Sequence, residues 1–190
     1  MATAQYVVFL RGINVGGKNI IKMADLKACL DDAGFDDVAT YIQSGNILLT
    51  GPAADPETLA KKVSATLAKR FDYHVPVVLR SHKQMQETVA KAPKEFTHHP
   101  GTYRLDVIFL REPLTAAEAM KNISMKEGVD LATKGPGVVY FSRLEARVTS
   151  SHVSKIVAMP MYQNMTIRNW NTTTKILAML DKRAEDAKAR

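Results

Sequence analysis

A glycine-rich, cationic segment near the start of the chain contains the residue types best suited to binding an anion. Residues 11–19 read RGINVGGKN and directly follow a short apolar run. Glycines permit positive φ and close approach of the backbone to a ligand, and a loop that enters a helix can turn its N–H groups toward negative charge. Cationic and amide side chains add further donors. The candidate ligands for a phosphate or carboxylate are Arg11, Asn14, Gly16, Gly17, Lys18 and Asn19.

The same segment has a second interpretation, as an ordinary connection between a strand and a helix. Its glycines are not spaced as G-x-G-x-x-G, and it has no G-x-x-x-x-G-K-[ST] pattern, so no established nucleotide-binding motif applies. Glycine and asparagine are also common in turns for steric reasons alone. Both interpretations stay open at the level of the sequence.

The elements around this segment predict a ferredoxin-like half. A near-continuous apolar run at residues 6–10 indicates a central strand. The patterns that follow predict a helix from about Lys22, strands at 38–43 and 46–50, a helix capped by Asp55 and an edge strand at 75–79 that contains Pro76. The order βαββαβ is that of the split βαβ arrangement.

A second half repeats this order. The patterns predict a strand at 104–110, a helix with the capping box Thr115 and Glu118, a hairpin around 134–137, a short helix at 151–158, a strand at 165–168 and a final helix from about Thr172. Phe9-Leu10-Arg11 recurs as Phe109-Leu110-Arg111. We therefore expect an α+β protein with two ferredoxin-like (βαββαβ) halves, an internal duplication and a C-terminal helix.

The predicted domains follow from this repeat. Residues 1–80 form the first half, and residues 103–190 form the second half with the C-terminal helix. Between them, residues 81–102 contain a helix that Ser81 and Gln84 cap and that Pro93 ends, followed by a linker.

The split βαβ order also predicts which loops meet. The end of the first strand and the turn between the second and third strands fall at the same edge of such a sheet, because the first two strands are parallel and the third returns between them. Gln43, Ser44 and Asn46 should therefore face the glycine-rich segment and complete one anion site. As the alternative, these polar residues serve only their own turn.

A second polar cluster precedes the final helix and consists of Arg168, Asn169, Trp170, Asn171 and Thr172. Asn169 or Asn171 can cap the helix, and an exposed helix start can hold an anion. Trp170 can stack on a base or another ring, or it can be a packing residue beside the capped helix.

The sequence shows no catalytic constellation and no metal-ligand spacing. His82 and His152 are isolated, and no serine lies in a G-x-S-x-G context. Cys29, the single cysteine, excludes an intramolecular disulfide, favours a reducing compartment and is expected to pack near Leu26. Without a charged leader or a long apolar run, the chain is expected to be cytoplasmic and to stay outside membranes. No cofactor, no metal and no oligomeric state follows from the residues.

Three segments of the chain resemble the bacterial family DUF1697. They read LRGINVGG at residues 10–17, YIQSGN at 41–46 and TIRNWNT at 166–172, and the resemblance extends over essentially the whole length. It implies a bacterial, cytoplasmic protein with a duplicated α+β architecture akin to ferredoxin-like domains. It implies no catalytic residue, because the family is functionally uncharacterised.

Several functions are compatible with these observations. The cationic loop favours binding of a phosphorylated small molecule or a nucleotide. A net charge of +7 and Trp170 favour weak nucleic-acid binding, although the RNA-binding signature K/R-G-F/Y-G/A-F-V-x-F/Y is not present. An enzyme acting on an anionic substrate would use the same donors to stabilise developing negative charge. Binding of a protein partner without catalysis is the fourth possibility.

Overall fold

A computed structural model describes residues 3–14, 20–43, 45–94, 96 and 101–189. Within these residues the N-terminal half of the chain forms one four-stranded sheet with helices. Its elements are β1 (Thr3–Leu10), α1 (Met23–Asp32), β2 (Asp36–Tyr41), β3 (Asn46–Pro52), α2 (Pro56–Phe71), β4 (Val77–Ser81) and α3 (His82–Ala90).

The first sheet has the order β2-β3-β1-β4, with antiparallel pairing throughout. This is the ferredoxin-like order, and β4 lies at an edge as predicted. It runs from Val77 to Ser81 rather than over 75–79, so Pro76, which has no N–H for strand pairing, precedes the strand instead of lying within it. Side chains of α1 and α2 pack on the alternate residues Tyr6, Val8 and Leu10 of β1 in one hydrophobic core. Because Val7 and Phe9 are buried as well, β1 is covered on both faces, which explains its near-continuous apolar run.

The C-terminal half forms the second sheet, in the order β6-β7-β5-β8. Its elements are β5 (Tyr103–Leu110), α4 (Ala116–Asn122), β6 (Asp130–Gly135), β7 (Val138–Leu144), α5 (Val153–Ala158), β8 (Met165–Asn169) and α6 (Trp170–Lys188). Two short 3-10 helices, Glu145–Ser150 and Pro160–Asn164, flank α5. A separate core joins Ile108 and Leu110 to residues of α4, β7 and α5.

Corresponding residues of the two sheets pair in the same way, which confirms the predicted α+β fold with two ferredoxin-like halves. Phe9 pairs with Asn46 and Val78, and Phe109 pairs with Val138 and Thr166. At the ends of the central strands, the N–H of Leu10 donates to the oxygen of Gly45 over 2.8 Å and that of Leu110 donates to Gly137 over 3.0 Å. The echo of Phe9-Leu10-Arg11 in Phe109-Leu110-Arg111 therefore marks equivalent positions.

Several other predicted boundaries are displaced by one or two residues, and the cause of two of these displacements is visible in the structure. The second strand ends at Tyr41 rather than at residue 43, because Ile42 has a positive φ of 50° and turns the chain. The last helix starts at Trp170 rather than at Thr172, because Asn169 provides the cap: the N–H of Thr172 donates to its Oδ1 over 2.7 Å. The predicted boxes Ser81/Gln84 and Thr115/Glu118 are both confirmed.

The chain divides into two compact units that do not follow the halves strictly. The first unit comprises Met1–Met85 and Ile176–Arg190, and the second unit comprises Gln86–Lys175. Helix α6 therefore begins in the second unit and contributes its later turns to the first.

Candidate functional site

The described start of the connection between β1 and α1 contacts the turn between β2 and β3. We call residues 11–22 the glycine-rich connection. Within it, the Nδ2 of Asn14 donates to the carbonyl oxygen of Gln43 over 3.3 Å, beside the hydrogen bond from Leu10 to Gly45. The structure thus brings together, at one sheet edge, the two segments that the split βαβ order places there.

The side chain of Asn14 joins the start of the glycine-rich connection to its end. Its Oδ1 accepts from the N–H of Ile21 over 2.8 Å, and its Nδ2 donates to the carbonyl oxygen of the same residue over 3.0 Å. The backbone of Asn14 is left-handed, with φ of 54°, a conformation that asparagine tolerates better than most residues. The amide of Asn14 is therefore engaged by the far end of its own connection and by the β2–β3 turn.

Gly45 allows the turn and the connection to approach each other closely. Its φ is +75°, and a Cβ built on it would lie 2.8 Å from the Cβ of Leu10 and 3.0 Å from the Cδ1 of Ile13. The side chain of Ile13 is buried at this contact, with 2% of the residue's surface exposed. Only glycine fits this position without displacing its neighbours.

Asn46 has a structural role in its own hairpin. It is fully buried, and its Nδ2 donates to the carbonyl oxygen of Tyr41 over 3.1 Å.

Two other predicted ligands are accessible. Arg11 is partly exposed, and its backbone N–H donates to the carbonyl oxygen of Pro76 over 3.1 Å. The side chain of Gln43 is exposed. The remaining predicted ligands, Gly16, Gly17, Lys18, Asn19 and Ser44, lie outside the described residues.

The glycine-rich connection is longer than its counterpart in the second unit. The first unit uses residues 11–22 to lead from β1 to α1, and the second unit uses only residues 111–115 to lead from β5 to α4. The counterpart of Arg11, Arg111, donates from Nη2 to the Oδ1 of Asn164 over 2.8 Å. The fold itself therefore does not require the additional residues of the first unit.

Some residues of the second predicted cluster are buried or cap the helix, whereas others are accessible to solvent. Asn169 caps α6 through Thr172, which is buried, whereas Asn171 is exposed. Arg168 donates from Nη1 to the Oγ1 of Thr166 over 2.9 Å and to the carbonyl oxygen of Ile167 over 2.8 Å. Burial lowers the pKa of Arg168 to about 10. Arg168 is thus a buried residue of β8 and does not lie at an exposed helix start.

Trp170 packs edge-on against Phe96, with ring centroids 5.1 Å apart, and is only partly buried. It lines a groove of about 610 Å³ in the second unit. The groove is also lined by Asn169, Asn171, Asp106 and Arg143. Trp170 therefore packs against Phe96 and also presents part of its surface to the groove.

A buried ion pair lies in the lining of that groove. Asp106 accepts a hydrogen bond from the Nη2 of Arg143, and both side chains are largely buried. Burial raises the pKa of Asp106, and the positive charge of Arg143 opposes that effect. The register places Tyr6 at the equivalent position of the first sheet, so the pair is specific to the second unit.

The structure reveals one side-chain cluster that the sequence does not indicate. The Oγ of Ser124 lies 3.0 Å from the Nδ1 of His152, and the Nε2 of His152 lies 3.1 Å from the Nζ of Lys155. Asp130 anchors the cluster, because its Oδ2 accepts from the N–H of His152 over 2.8 Å. Ser124 and His152 stand 28 positions apart, so no motif spacing reports the contact.

Two other kinds of site are not found in the described part of the chain. No group of three or more histidine, cysteine, aspartate or glutamate side chains there could hold a metal ion. No helix among the same residues combines the length and apolar character needed to cross a membrane. Cys29 is buried, and burial raises the pKa of its thiol.

Comparison with known proteins identifies relatives but no activity. The family described as "Protein of unknown function (DUF1697)" matches residues 3–140. Among solved structures, the conserved bacterial protein SP0830 from Streptococcus pneumoniae is similar, with a TM-score of 0.82 and 27% sequence identity over 94% of this chain and 99% of that chain. No curated protein gives a significant match. The chain belongs to the DUF1697 family.

Proposed function

We propose that the protein binds a phosphate-bearing small molecule or a nucleotide at the sheet edge where the glycine-rich connection meets the β2–β3 turn. The observation that carries this proposal is the difference between the two units. One sheet uses residues 11–22 where its duplicate needs only residues 111–115. The second unit shows that five residues are enough to join the two elements, and binding residues are found disproportionately on the loops of a rigid scaffold.

The composition of the insertion supports an anionic ligand. It brings Lys18 and two adjacent glycines, Gly16 and Gly17, to a connection that begins with Arg11 and enters a helix. Backbone N–H groups before a helix attract phosphate, and cations add to that attraction. Asn14 fixes the described ends of the connection to each other and to the β2–β3 turn, which lowers the cost of ordering these parts around a ligand.

The test is a thermal denaturation series with inorganic phosphate, pyrophosphate and nucleoside mono-, di- and triphosphates. A compound that binds the native state adds about 2.7 kcal/mol of stability at a hundredfold excess over its Kd. We expect Lys18→Met to weaken this stabilisation. The matched control is Lys134→Met, because Lys134 is an exposed lysine beside the equivalent hairpin of the second sheet.

Two outcomes would refute the proposal. The first is an unchanged melting curve with every phosphate compound. The second is an equal loss of stabilisation in the Lys18 and Lys134 variants, since that would indicate general attraction to the net charge of +7 rather than a site.

We also infer a cytoplasmic location. The single cysteine, Cys29, is buried and free, as is usual for proteins of reducing compartments. Fractionation of cells that produce the protein, followed by detection in each fraction, tests this location; recovery in a secreted fraction would contradict it.

A further inference from the structure

The first unit contains a polar cavity on a different part of its sheet. Its volume is about 760 Å³, within the size range of small-molecule sites. Its lining includes Gln5 of β1, Asp37 of β2 and Thr50 of β3, together with Arg183 and Asp186 of α6. All of these residues belong to the first unit.

Two buried polar atoms of this lining have no hydrogen-bond partner within the described ranges. They are the Oε1 of Gln5, which is an acceptor, and the Nη1 of Arg183, which is a donor. Native proteins satisfy nearly all buried polar atoms, through protein groups, water or ligands. Both atoms are closed off from solvent, so a ligand in the cavity would meet the partly exposed remainder of Arg183 rather than these two atoms.

Asp37, an exposed residue of the same lining, has a strained backbone conformation. Its φ is 48°, and the pairing of β2 with β3 shifts register between Asp36 and Ala39. A β-bulge re-aims the side chain it carries, and strained non-glycine residues concentrate at functional sites. Among the residues that the structure describes, the carboxylate of Asp37 accepts one long hydrogen bond, 3.5 Å from the Oγ1 of Thr50.

The charges of the cavity are mixed rather than uniformly positive. Burial lowers the pKa of Arg183, and the negative charge of Asp37 opposes that effect, although no ion pair between described residues joins the two. Lys27 also lines the cavity, but its Nζ lies 2.6 Å from Asp31, which compensates its charge. Two carboxylates, those of Asp37 and Asp186, therefore accompany one guanidinium, an arrangement that disfavours a phosphate dianion.

We propose that this cavity binds a free α-amino acid, whose carboxylate pairs with Arg183 and whose ammonium group pairs with Asp37 and Asp186. The guanidinium of arginine matches a carboxylate through two parallel hydrogen bonds. This site is separate from the phosphate site proposed at the other sheet edge, and it does not depend on it.

The ligand side of the proposal is tested by NMR titration of the full chain with the standard free L-amino acids, one at a time. At least one should bind saturably. Its N-acetyl derivative lacks the ammonium charge and its methyl ester lacks the carboxylate, so each should bind roughly tenfold or more weakly. The proposal is overturned if no amino acid binds, or if the acetylated and esterified forms bind as well as the parent.

The protein side is tested with Arg183→Met and Asp37→Asn, with Lys182→Met as the control for loss of charge at an exposed neighbour on α6. Asparagine tolerates the left-handed backbone of position 37, so that variant should keep its fold. We expect roughly tenfold or greater loss of affinity in each test variant and none in the control. Asp37→Asn should not weaken binding of the N-acetyl derivative further. Equal affinity in the native protein and both test variants would place the amino acid elsewhere and end the proposal.

Discussion

Gly45 is the residue on which the contact between the β2–β3 turn and the end of β1 most directly depends. Its carbonyl oxygen accepts from Leu10, and its missing side chain leaves room for Ile13. The sequence alone indicates a turn at Ser44-Gly45, but it does not indicate that a methyl group there would collide with two other segments. Local spacing reports the turn, whereas the collision depends on residues more than 30 positions away.

Gly45→Ala should therefore destabilise the protein more than a substitution that changes only backbone conformation. A left-handed backbone costs an L-residue roughly 1–2 kcal/mol, and the close contact with Leu10 should add about 1–3 kcal/mol. Gly34→Ala is the matched control, because Gly34 has φ of +80° and a Cβ added to it would meet nothing within 4 Å. Urea denaturation of both variants measures the difference, and equal losses would contradict the steric explanation.

At the scale of elements, the two capping boxes were predictable from the sequence, whereas the exact start of α6 was not. The pairs Ser81/Gln84 and Thr115/Glu118 are recognisable because a capping box joins residues three positions apart. The start of α6 was predicted two residues too late, because both Asn169 and Asn171 are suitable caps by type. The structure shows that Asn169 is the cap, because β8 ends at that residue and the helix begins at the next one.

Asn169→Ala should lower the free energy of unfolding by about 1 kcal/mol, since it removes the acceptor for the N–H of Thr172. Asn171→Ala is the matched control: its side chain is exposed inside the first turn of α6, so alanine should be neutral or slightly favourable there. Chemical denaturation distinguishes the two. A larger loss in the Asn171 variant would mean that the cap is assigned to the wrong asparagine.

At the scale of the whole molecule, α6 is divided between the two compact units. Its residues from Ile176 onward belong to the first unit, although the chain reaches them only after completing the second. Leu180 is fully buried, and Asp181 lies 2.6 Å from His82, a residue of the same unit. The end of the chain is thus a component of the first unit.

Leu180→Ala should cost roughly 2–5 kcal/mol of stability, as deletion of a buried leucine side chain usually does. Leu131→Ala is the matched control, because Leu131 is 52% exposed and should change stability by less than about 0.5 kcal/mol. Amide hydrogen exchange should show the loss of protection in Leu180→Ala first in the strands of the first sheet, β1 to β4. Loss confined to β5–β8 would contradict the assignment of this helix end to the first unit.

The sequence by itself determined the order of elements, the α+β class, the duplication and the family, because periodicity, caps, turns and short motifs are local signals. Which side chains meet was decided only by the tertiary structure. Asn14 binds the backbone of its own connection, His152 meets Ser124, and Arg183 lines the same cavity as Asp37. These arrangements depend on how the chain folds back on itself, and no spacing along the chain reports the distance between the side chains.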